Sequence, residues 1–392
     1  MDRIGWLGLL VGIAGANVAH ADGPITNRDY SIEIYDGVAI GNTAQVGMGG
    51  AGAALVVGTA GTLINASAPA VRQTTDTDSW SWDYHLDYLT GTLSSDYDNN
   101  GIVTEEGTGA ALITAGFGVR VHDWAGALTA TGQSAPLDSP FGLGALNLRA
   151  RFALAKWFPS IDTSIGIGVQ SVSFGISSPD GLMFGVSGAG AIAGATYAPR
   201  SQNFRLAVAT ESQILGGKVD DDLRCDPENC MGYILPEQIE SSWRTIVGGA
   251  YRWAPTQWNQ LVAGHFRDER SLTLAGDVVV TGPTTDGHSV EAFALQQLQR
   301  SGAKPVVSIR GGAEFEWLPG RLRVRAGSYW EPSRFERLTG YRDTGGRIHA
   351  TFGAEVRVFA FNLWGPRRGR LSFTGDVAAR YRNVAISIGF WH

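Results

Sequence analysis

The chain has 392 residues, of which 44% are hydrophobic and only 17% are charged, and its formal net charge is -6. This balance lacks the basic field that nucleic-acid binding requires, and no apolar run beyond the first residues reaches the roughly 20 residues of a membrane-spanning helix. A mean hydropathy near zero remains compatible with a membrane β-barrel, because barrel strands alternate apolar and polar residues.

The first 21 residues have the features of a secretory signal peptide. Arg3 precedes an apolar stretch at 4–18, and the small-residue sequence AHA at 19–21 fits a cleavage site. We therefore expect residues 1–21 to be removed on export.

Residues 22–78 are rich in Gly and Ala and come before the first clear strand pattern. Their sequence GMGGAG, with Gly47, Gly49 and Gly52, fits the spacing of a dinucleotide-binding loop. That role is disfavoured because no βαβ pattern follows and the chain is exported. The favoured role is close packing of small residues against each other or against a barrel wall.

From residue 79 onward, apolar and polar residues alternate with a period of two, which predicts strands with one apolar and one polar face. Several of these segments exceed the five or six residues usual in soluble proteins and suit a bilayer, where a tilted strand needs about 9–11. The fourteen segments are 79–90, 109–121, 124–133, 145–157, 163–177, 184–198, 203–215, 241–253, 270–280, 304–317, 321–330, 346–359, 369–380 and 383–392.

The connections between these segments alternate in length, as the turns and loops of an outer-membrane barrel do. Short links such as HD, PSIDT, RSQN and LPG alternate with long ones such as 91–108, 216–240 and 281–303. The link at 254–269 and the last link depart from this alternation. Near the short-link end lie seven Trp residues, as in an aromatic girdle at a membrane interface: Trp80, Trp124, Trp157, Trp253, Trp317, Trp364 and Trp391.

These patterns predict an all-β fold, a transmembrane antiparallel β-barrel of about 14 strands at residues 79–392, preceded by a small N-terminal domain at 22–78. A soluble β-sandwich is the alternative. It explains the alternation but neither the strand lengths nor the Trp girdle.

The first long link contains DYDNNG, which begins like a calcium-binding loop. Asp96, Asp98 and Asn100 supply oxygen atoms at alternate positions, and Gly101 permits a sharp turn. Gly107 stands where the loop needs a bidentate Glu. A polar loop without a metal is therefore the favoured interpretation, and calcium is a weak second.

The two cysteines, Cys225 and Cys230, lie in the polar sequence CDPENC. In an oxidising compartment we expect them to form a small disulfide loop. Two free thiols without a role are the alternative.

Charged residues on the polar faces of two neighbouring strands predict ion pairs inside the barrel. If the turn centres on Pro319-Gly320, Glu316 lies opposite Arg323 and Glu314 lies opposite Arg325. Opposite charges across an antiparallel pair are favourable. A structural ladder that fixes the strand register is favoured over a substrate track.

The chain ends in NVAISIGFWH, which predicts a closing strand that pairs with the first strand. An open strand edge in lipid would leave backbone groups unpaired. We expect Val384, Ile386, Ile388 and Phe390 to face lipid.

Residues 39–72, AIGNTAQVGMGGAGAALVVGTAGTLINASAPAVR, resemble the N-terminal hatch of the outer-membrane long-chain fatty-acid and aromatic-hydrocarbon transporter family. The resemblance rests on the Gly-Met-Gly-Gly-Ala run at 47–51 and on a degraded Asn-Pro-Ala motif, in which Asn65 is separated from Pro69-Ala70. It implies a fourteen-stranded barrel plugged by residues 22–78.

The resemblance also implies a ligand pocket between the hatch and the wall. Candidate ligand-binding residues are Leu55, Val57, Leu63, Ile64, Asn65 and Pro69. The apolar members of this set, together with Val56, either line such a pocket or pack the plug.

The implied function is passive uptake of hydrophobic small molecules, such as long-chain fatty acids or aromatic hydrocarbons, with no catalysis and no cofactor. The alternatives are a non-transporting barrel that serves as a surface scaffold or a partner of a secretion machine, and an outer-membrane lipid enzyme with a Ser-His pair. Expected partners are outer-membrane lipid and lipopolysaccharide, a hydrophobic ligand and the barrel-assembly machinery, but no nucleic acid.

Overall fold

The computed structural model describes residues 23–34, 42–72, 76–90, 96, 98–102, 111–137, 139–219, 230–262, 266–340, 345–362 and 366–390. The predicted signal peptide, residues 1–21, lies outside these ranges and stays a prediction. No helix in the described part of the chain is long and apolar enough to cross a membrane.

Long antiparallel strands form a closed barrel, and every predicted strand segment coincides with one of them apart from shifts of a few residues at the ends. The fourteen barrel strands among the described residues are β1 (Trp80–Thr90), β2 (Ala111–Val121), β3 (Trp124–Pro136), β4 (Gly144–Phe158), β5 (Thr163–Ser178), β6 (Gly181–Tyr197), β7 (Phe204–Glu211), β8 (Arg244–Trp253), β9 (Leu272–Thr281), β10 (Val306–Leu318), β11 (Leu322–Glu331), β12 (Arg347–Asn362), β13 (Pro366–Ala378) and β14 (Tyr381–Phe390).

Pairing between the last and first strands closes the barrel. The register of β14 against β1 runs from Val384 opposite Thr90 to Gly389 opposite His85. Because closure pairs the edge strands, their backbone N–H and C=O groups do not face lipid unpaired. The predicted all-β transmembrane fold and the closing role of the last strand are thus confirmed.

The two faces of each strand differ as a membrane barrel requires. On β7, Arg205, Ala207, Ala209 and Glu211 are buried toward the inside, whereas Leu206 and Val208 point out and are exposed. The other strands repeat this alternation, so the outer surface carries a belt of apolar side chains that suits lipid. Such a belt around a closed barrel places the chain in the outer membrane.

Phe390 departs from the lipid-facing pattern expected of the last strand. Val384, Ile386 and Ile388 are exposed, as predicted, but Phe390 is only 3% exposed. It is covered because the Trp82 and Tyr84 rings pack edge-on against it, with centroid distances of 5.1 and 4.5 Å. The prediction was wrong for this residue because alternation says nothing about aromatic neighbours on the adjacent strand.

Residues 42–72, here called the inner segment, lie inside the barrel. They contain α1 (Thr43–Gly47), α2 (Gly58–Gly61) and a 3-10 turn at Ala68–Ala70. The side chain of Asn42 caps α1 by accepting a hydrogen bond from the Gln45 N–H at 3.0 Å. The two helices and the 3-10 turn of this segment contact one continuous arc of the wall, from β11 through β14 and on from β1 to β5.

Residues 23–34 and the long loops form a separate layer at the long-loop end. The strand Ser31–Glu33 lies parallel between Gln238–Ser241 and Gly287–His288. The long β5–β6 hairpin reaches this layer, where Phe184 packs on Phe293. Further short strands are Gly23–Pro24, Ile214–Lys218 and Gln297–Leu298, and a short helix α3 spans Val290–Ala294. The region predicted as one plug therefore contributes to two layers.

Candidate ligand cavity

A cavity of about 170 Å³ lies between the inner segment and the wall at the short-turn end of the barrel. Short turns face the periplasm in outer-membrane barrels, so this is the periplasmic end. One side of the cavity is formed by Leu55, Val56 and Val57 of the inner segment, and Trp258 and Phe266 face them from the β8–β9 connection. An apolar wall of this kind suits a hydrophobic ligand.

The other side of the cavity is a network of ion pairs. Arg325 lies 2.6 Å from Glu314 and 2.7 Å from Glu355, and Arg323 lies 3.2 Å from Glu316. Arg370 adds a contact of 2.9 Å to Glu355. The strand register places Glu314 opposite Arg325 and Glu316 opposite Arg323, as the position of the turn predicts.

These charges neutralise one another. Each carboxylate in the network faces at least one guanidinium within ion-pair distance. A buried charge that loses its partner is strongly destabilising, so the pairs fix the relative positions of β10 to β13. The lumen is therefore polar on this side, but it is not packed solid, because the cavity remains beside the inner segment.

The structure separates the predicted ligand-binding residues into two groups. Leu55 and Val57 line the cavity. Leu63 and Ile64 are instead buried against Ala207, Ala209 and Ile246 of the wall, which favours the packing role for this pair.

Asn65 and Pro69 shape the inner segment rather than the cavity wall. The Asn65 Oδ1 accepts hydrogen bonds from the N–H and the hydroxyl of Ser67 at 3.0 and 2.8 Å, and its amide donates to Thr196 Oγ1 at 3.0 Å. Pro69 lies in the 3-10 turn that follows. Asn65 and Pro69-Ala70 therefore belong to one compact turn, which the hydrogen bond from Asn65 to Thr196 attaches to β6.

The glycine run packs the inner segment directly against the wall. Gly49 has φ of 66°, and a Cβ atom there would lie 2.5 Å from the Gly311 carbonyl oxygen. A Cβ on Gly327 would lie 2.3 Å from the Gly49 nitrogen. Backbone meets backbone here, which only glycine permits on both sides. This is the close packing that the sequence favours for GMGGAG.

The acidic loop residues have other partners than a metal. The Asn100 Nδ2 donates to Glu291 Oε2 at 2.6 Å and to Ser289 Oγ at 2.9 Å, and lies 3.2 Å from Asp98 Oδ2. Asp96 lies 3.4 Å from Arg380. Burial, with the Glu291 carboxylate nearby, raises the pKa of Asp98 well above its ordinary value. The described residues contain no group of three His, Cys, Asp or Glu side chains arranged for a metal, so calcium is not proposed.

The predicted disulfide is described on one side only. Cys230 is buried and forms a β-bridge with Tyr233 in the layer at the long-loop end. Cys225 lies outside the described residues, so its pairing with Cys230 stays a prediction.

His349 and Ser372 lie on the polar faces of neighbouring strands, but they do not form the Ser-His pair that a lipid enzyme would need. The Nδ1 atom of His349 lies 2.8 Å from Asp376 Oδ1, and its Nε2 atom lies 2.9 Å from Glu331 Oε2. Ser372 instead receives a hydrogen bond from Arg370 at 3.1 Å. Both ring nitrogens are engaged by carboxylates, so His349 is not placed to activate a serine.

Sequence reasoning missed two residues that organise the cavity region. Asp277 Oδ2 accepts hydrogen bonds from the N–H groups of Gly52 and Ala53 at 2.8 and 3.0 Å. Its one sequence signal is a lone acid in the apolar strand LTLAGDVVVT. Arg205 faces the cavity from β7, and alternation placed it inside the barrel without indicating a role.

No protein-family model and no curated protein matches the sequence. Solved structures do match. They include the Pseudomonas putida toluene transporter TodX, at 12% identity and a TM-score of 0.54, over 90% of this chain and 98% of that one. A Pseudomonas aeruginosa FadL homologue matches at 15% identity and a TM-score of 0.51, and the Ralstonia pickettii toluene transporter TbuX at 14% and 0.51, both with the same coverage.

At these identities the likeness concerns the fold, and it extends over nearly the whole of each chain. It agrees with the resemblance drawn from the Gly-Met-Gly-Gly-Ala run and with the fourteen strands counted from alternation. The neighbours are transport proteins rather than enzymes. The chain therefore has the fold of the toluene transporters TodX and TbuX and of the FadL homologue.

Proposed function

We propose that this chain is a passive channel for the uptake of hydrophobic small molecules, such as long-chain fatty acids or aromatic hydrocarbons. The observation that carries the proposal is the cavity in which Leu55, Val56 and Val57 face Trp258 and Phe266. It brings the apolar part of the inner segment to an internal surface that a ligand can occupy.

The fold comparisons support this proposal from a second direction. Proteins of the same fold include two toluene transporters and a FadL homologue. A hydrophobic molecule partitions poorly through the polar lipopolysaccharide layer, and it gains free energy when it leaves water for an apolar pocket. Uptake then needs a route and a concentration gradient, but no coupling to an energy source.

The scaffold or secretion-partner alternative is not proposed, because no contact or surface of the described residues favours it. The two functions differ in one respect that can be measured. A channel changes the rate at which a small molecule enters the cell, whereas a scaffold does not.

The test is uptake of radiolabelled toluene and radiolabelled laurate by cells with and without the protein. We expect the wild-type chain to raise the initial uptake rate of at least one of them. Val56→Asp places a charge on the cavity wall and should reduce that gain several-fold. Ile161→Asp adds the same charge at an exposed turn and should leave the gain unchanged.

Folded protein in the outer membrane is quantified for each strain by its heat-modifiable mobility in gel electrophoresis. Equal uptake of both compounds with and without the folded wild-type chain would remove the channel proposal.

A further inference from the structure

Arg205 is a buried cation without an acidic partner among the described residues. Arg205 is only 4% exposed. Its Nε donates to the Asn259 Oδ1 at 2.7 Å, and no other hydrogen bond or ion pair of this guanidinium exists within the described part of the chain. This differs from Arg252, which lies 3.2 Å from Glu269.

The Arg205 guanidinium is fixed in position by contacts with Trp258 and Asn259. It lies over the Trp258 ring, with its central carbon 4.2 Å from the ring centroid. The Asn259 amide donates to the carbonyls of Pro199 and Phe204 at 3.1 and 2.9 Å, so the partner of Nε is itself anchored. A cation stacked on Trp and fixed at Nε is preorganised, with its two terminal nitrogens left for another group.

The Arg205 side chain lines two cavities. One is the cavity of about 170 Å³ beside the inner segment, and the other has about 250 Å³ and includes Val71, Trp157 and Leu261 in its lining. Arg205 is the residue that the two cavities share. The first cavity offers it an apolar wall in the inner segment, whereas the second also has Arg72, Asp123 and Arg200 in its lining.

The surrounding charge strengthens the positive character of this site. Arg252 and Arg267 line the first cavity near Arg205, and Arg267 donates to backbone carbonyls of the same connection, one of them at Trp258. Three carboxylates of the first cavity's wall, Glu314, Glu316 and Glu355, lie within ion-pair distance of arginines on neighbouring strands. The fourth, Asp83, accepts hydrogen bonds from the N–H and the hydroxyl of Thr59 at 2.9 and 3.0 Å. An anion that enters the cavity therefore meets Arg205 as an unmatched cation.

A guanidinium fork binds a carboxylate through two parallel hydrogen bonds, and its geometry fits that group better than it fits a neutral molecule. The apolar wall of the first cavity, formed by Leu55, Val56 and Val57, suits an alkyl chain attached to the carboxylate. We propose that Arg205 forms a site at the periplasmic end of the lumen for the carboxylate headgroup of a single-chain amphiphile. This inference rests on the proposed channel function and narrows its substrate class.

The test compares two ligands that share a chain and differ in the headgroup. Binding of radiolabelled laurate and of uncharged dodecanol is measured on the purified full chain in an uncharged sugar detergent. Arg205→Gln removes the charge, and we expect it to weaken laurate binding about tenfold or more while dodecanol binding changes less than twofold. Arg321→Gln removes an exposed arginine at the same end and should leave both affinities unchanged.

Two results would overturn the site. One is laurate binding by folded Arg205→Gln at wild-type affinity, and the other is an equal loss for laurate and dodecanol, which would mean that Arg205 acts only on cavity shape. If Arg205→Gln does not fold, Arg205→Lys serves instead. Because Lys keeps the charge but cannot form the fork, laurate should weaken several-fold with dodecanol unchanged, and an unchanged laurate affinity would overturn the proposal.

Failure of this site and failure of the channel give different results. Uptake of toluene by cells with Arg205→Gln at the wild-type rate, together with unaltered laurate binding, would overturn the site and leave the channel. Charge-dependent laurate binding by a chain that accelerates no uptake would overturn the channel and leave the site.

Discussion

Asp277 connects β9 by hydrogen bonds to the turn of the inner segment that follows the glycine run. Its carboxylate receives two backbone N–H groups, from Gly52 and Ala53. Hydrogen bonds to a charged acceptor contribute about 1.5–3 kcal/mol each, and a buried donor left without a partner costs a similar amount.

We expect Asp277→Ala to loosen residues 51–54, because it leaves both N–H groups unpaired. Amide hydrogen exchange followed by mass spectrometry should show lower protection of this peptide, by about tenfold or more. Asp277→Asn retains an acceptor oxygen and should lose much less protection. Equal protection in wild type and Asp277→Ala would show that the turn is held by its packing alone.

Asp98 makes the loop between β1 and β2 sensitive to pH. Its pKa is raised well above the ordinary value of 3.8, chiefly by burial. In the unfolded loop it ionises near the ordinary value, whereas in the folded loop it stays protonated to a higher pH. Protonated Asp98 therefore stabilises the folded loop fully below the ordinary pKa, and this stabilisation is lost as pH rises through the raised pKa.

Asp98→Asn should remove this loss because an amide does not ionise. With wild type and variant digested side by side at each pH, the ratio of wild-type to variant cleavage within residues 96–102 should increase from pH 4 upward. Comparison at equal pH cancels the pH dependence of the protease. A ratio that stays constant across the range would contradict the assignment.

At the scale of the element, backbone contact between the inner segment and β10 depends on one face of that strand. A Cβ on Gly312 would lie 2.4 Å from the Met48 carbonyl oxygen, whereas a Cβ on the adjacent Gly311 meets nothing closer than 3.7 Å. The two neighbours in sequence therefore form a matched pair with opposite environments.

Gly312→Ala should push α1 away from the wall, whereas Gly311→Ala should leave it in place. Single-channel recording in planar bilayers would detect the displacement as a higher frequency of open events for Gly312→Ala, since the segment no longer fills the lumen. Identical traces from the two variants would mean that the barrel wall adjusts without moving the inner segment.

The strands were predictable and the inner contacts were not, for a physical reason. Lipid outside and polar groups inside impose a period of two on each strand, and that pattern is local in sequence. Arg205 is positioned by contacts with Trp258 and Asn259, which are more than fifty residues away in sequence, and Asn65 is positioned by a hydrogen bond to Thr196. Contacts at such separations leave no periodic trace in a single sequence.

The ion-pair positions are the intermediate case. Glu314 and Arg325 are joined by a short turn, so their register follows from the position of that turn. Phe390 shows the limit of this reasoning, because its burial depends on the Trp82 and Tyr84 rings of the adjacent strand β1, which are about 300 residues away in sequence. Local pattern fixed which face a residue occupies, but not what covers it.

At the scale of the whole molecule, the apolar belt determines where the barrel sits in the bilayer. Ile167 is 65% exposed and lies between Ile165 and Val169, the two other exposed apolar side chains of β5, whereas Ile161 is 56% exposed in the turn that precedes this strand. Both side chains point away from the protein, but only the first lies at a depth where water is absent.

We expect Ile167→Arg to lower the free energy of unfolding in phospholipid vesicles by about 2–4 kcal/mol, and Ile161→Arg by about 0–1 kcal/mol. The physical reason is depth, because an arginine near the midplane must be desolvated, whereas one at the interface keeps its water. Guanidinium titration followed by Trp fluorescence would measure both, since Trp80, Trp124, Trp253 and Trp317 are exposed near the periplasmic end. Equal penalties for the two substitutions would mean that the bilayer does not centre on the strand middles, and the membrane placement of the barrel would have to shift along its axis.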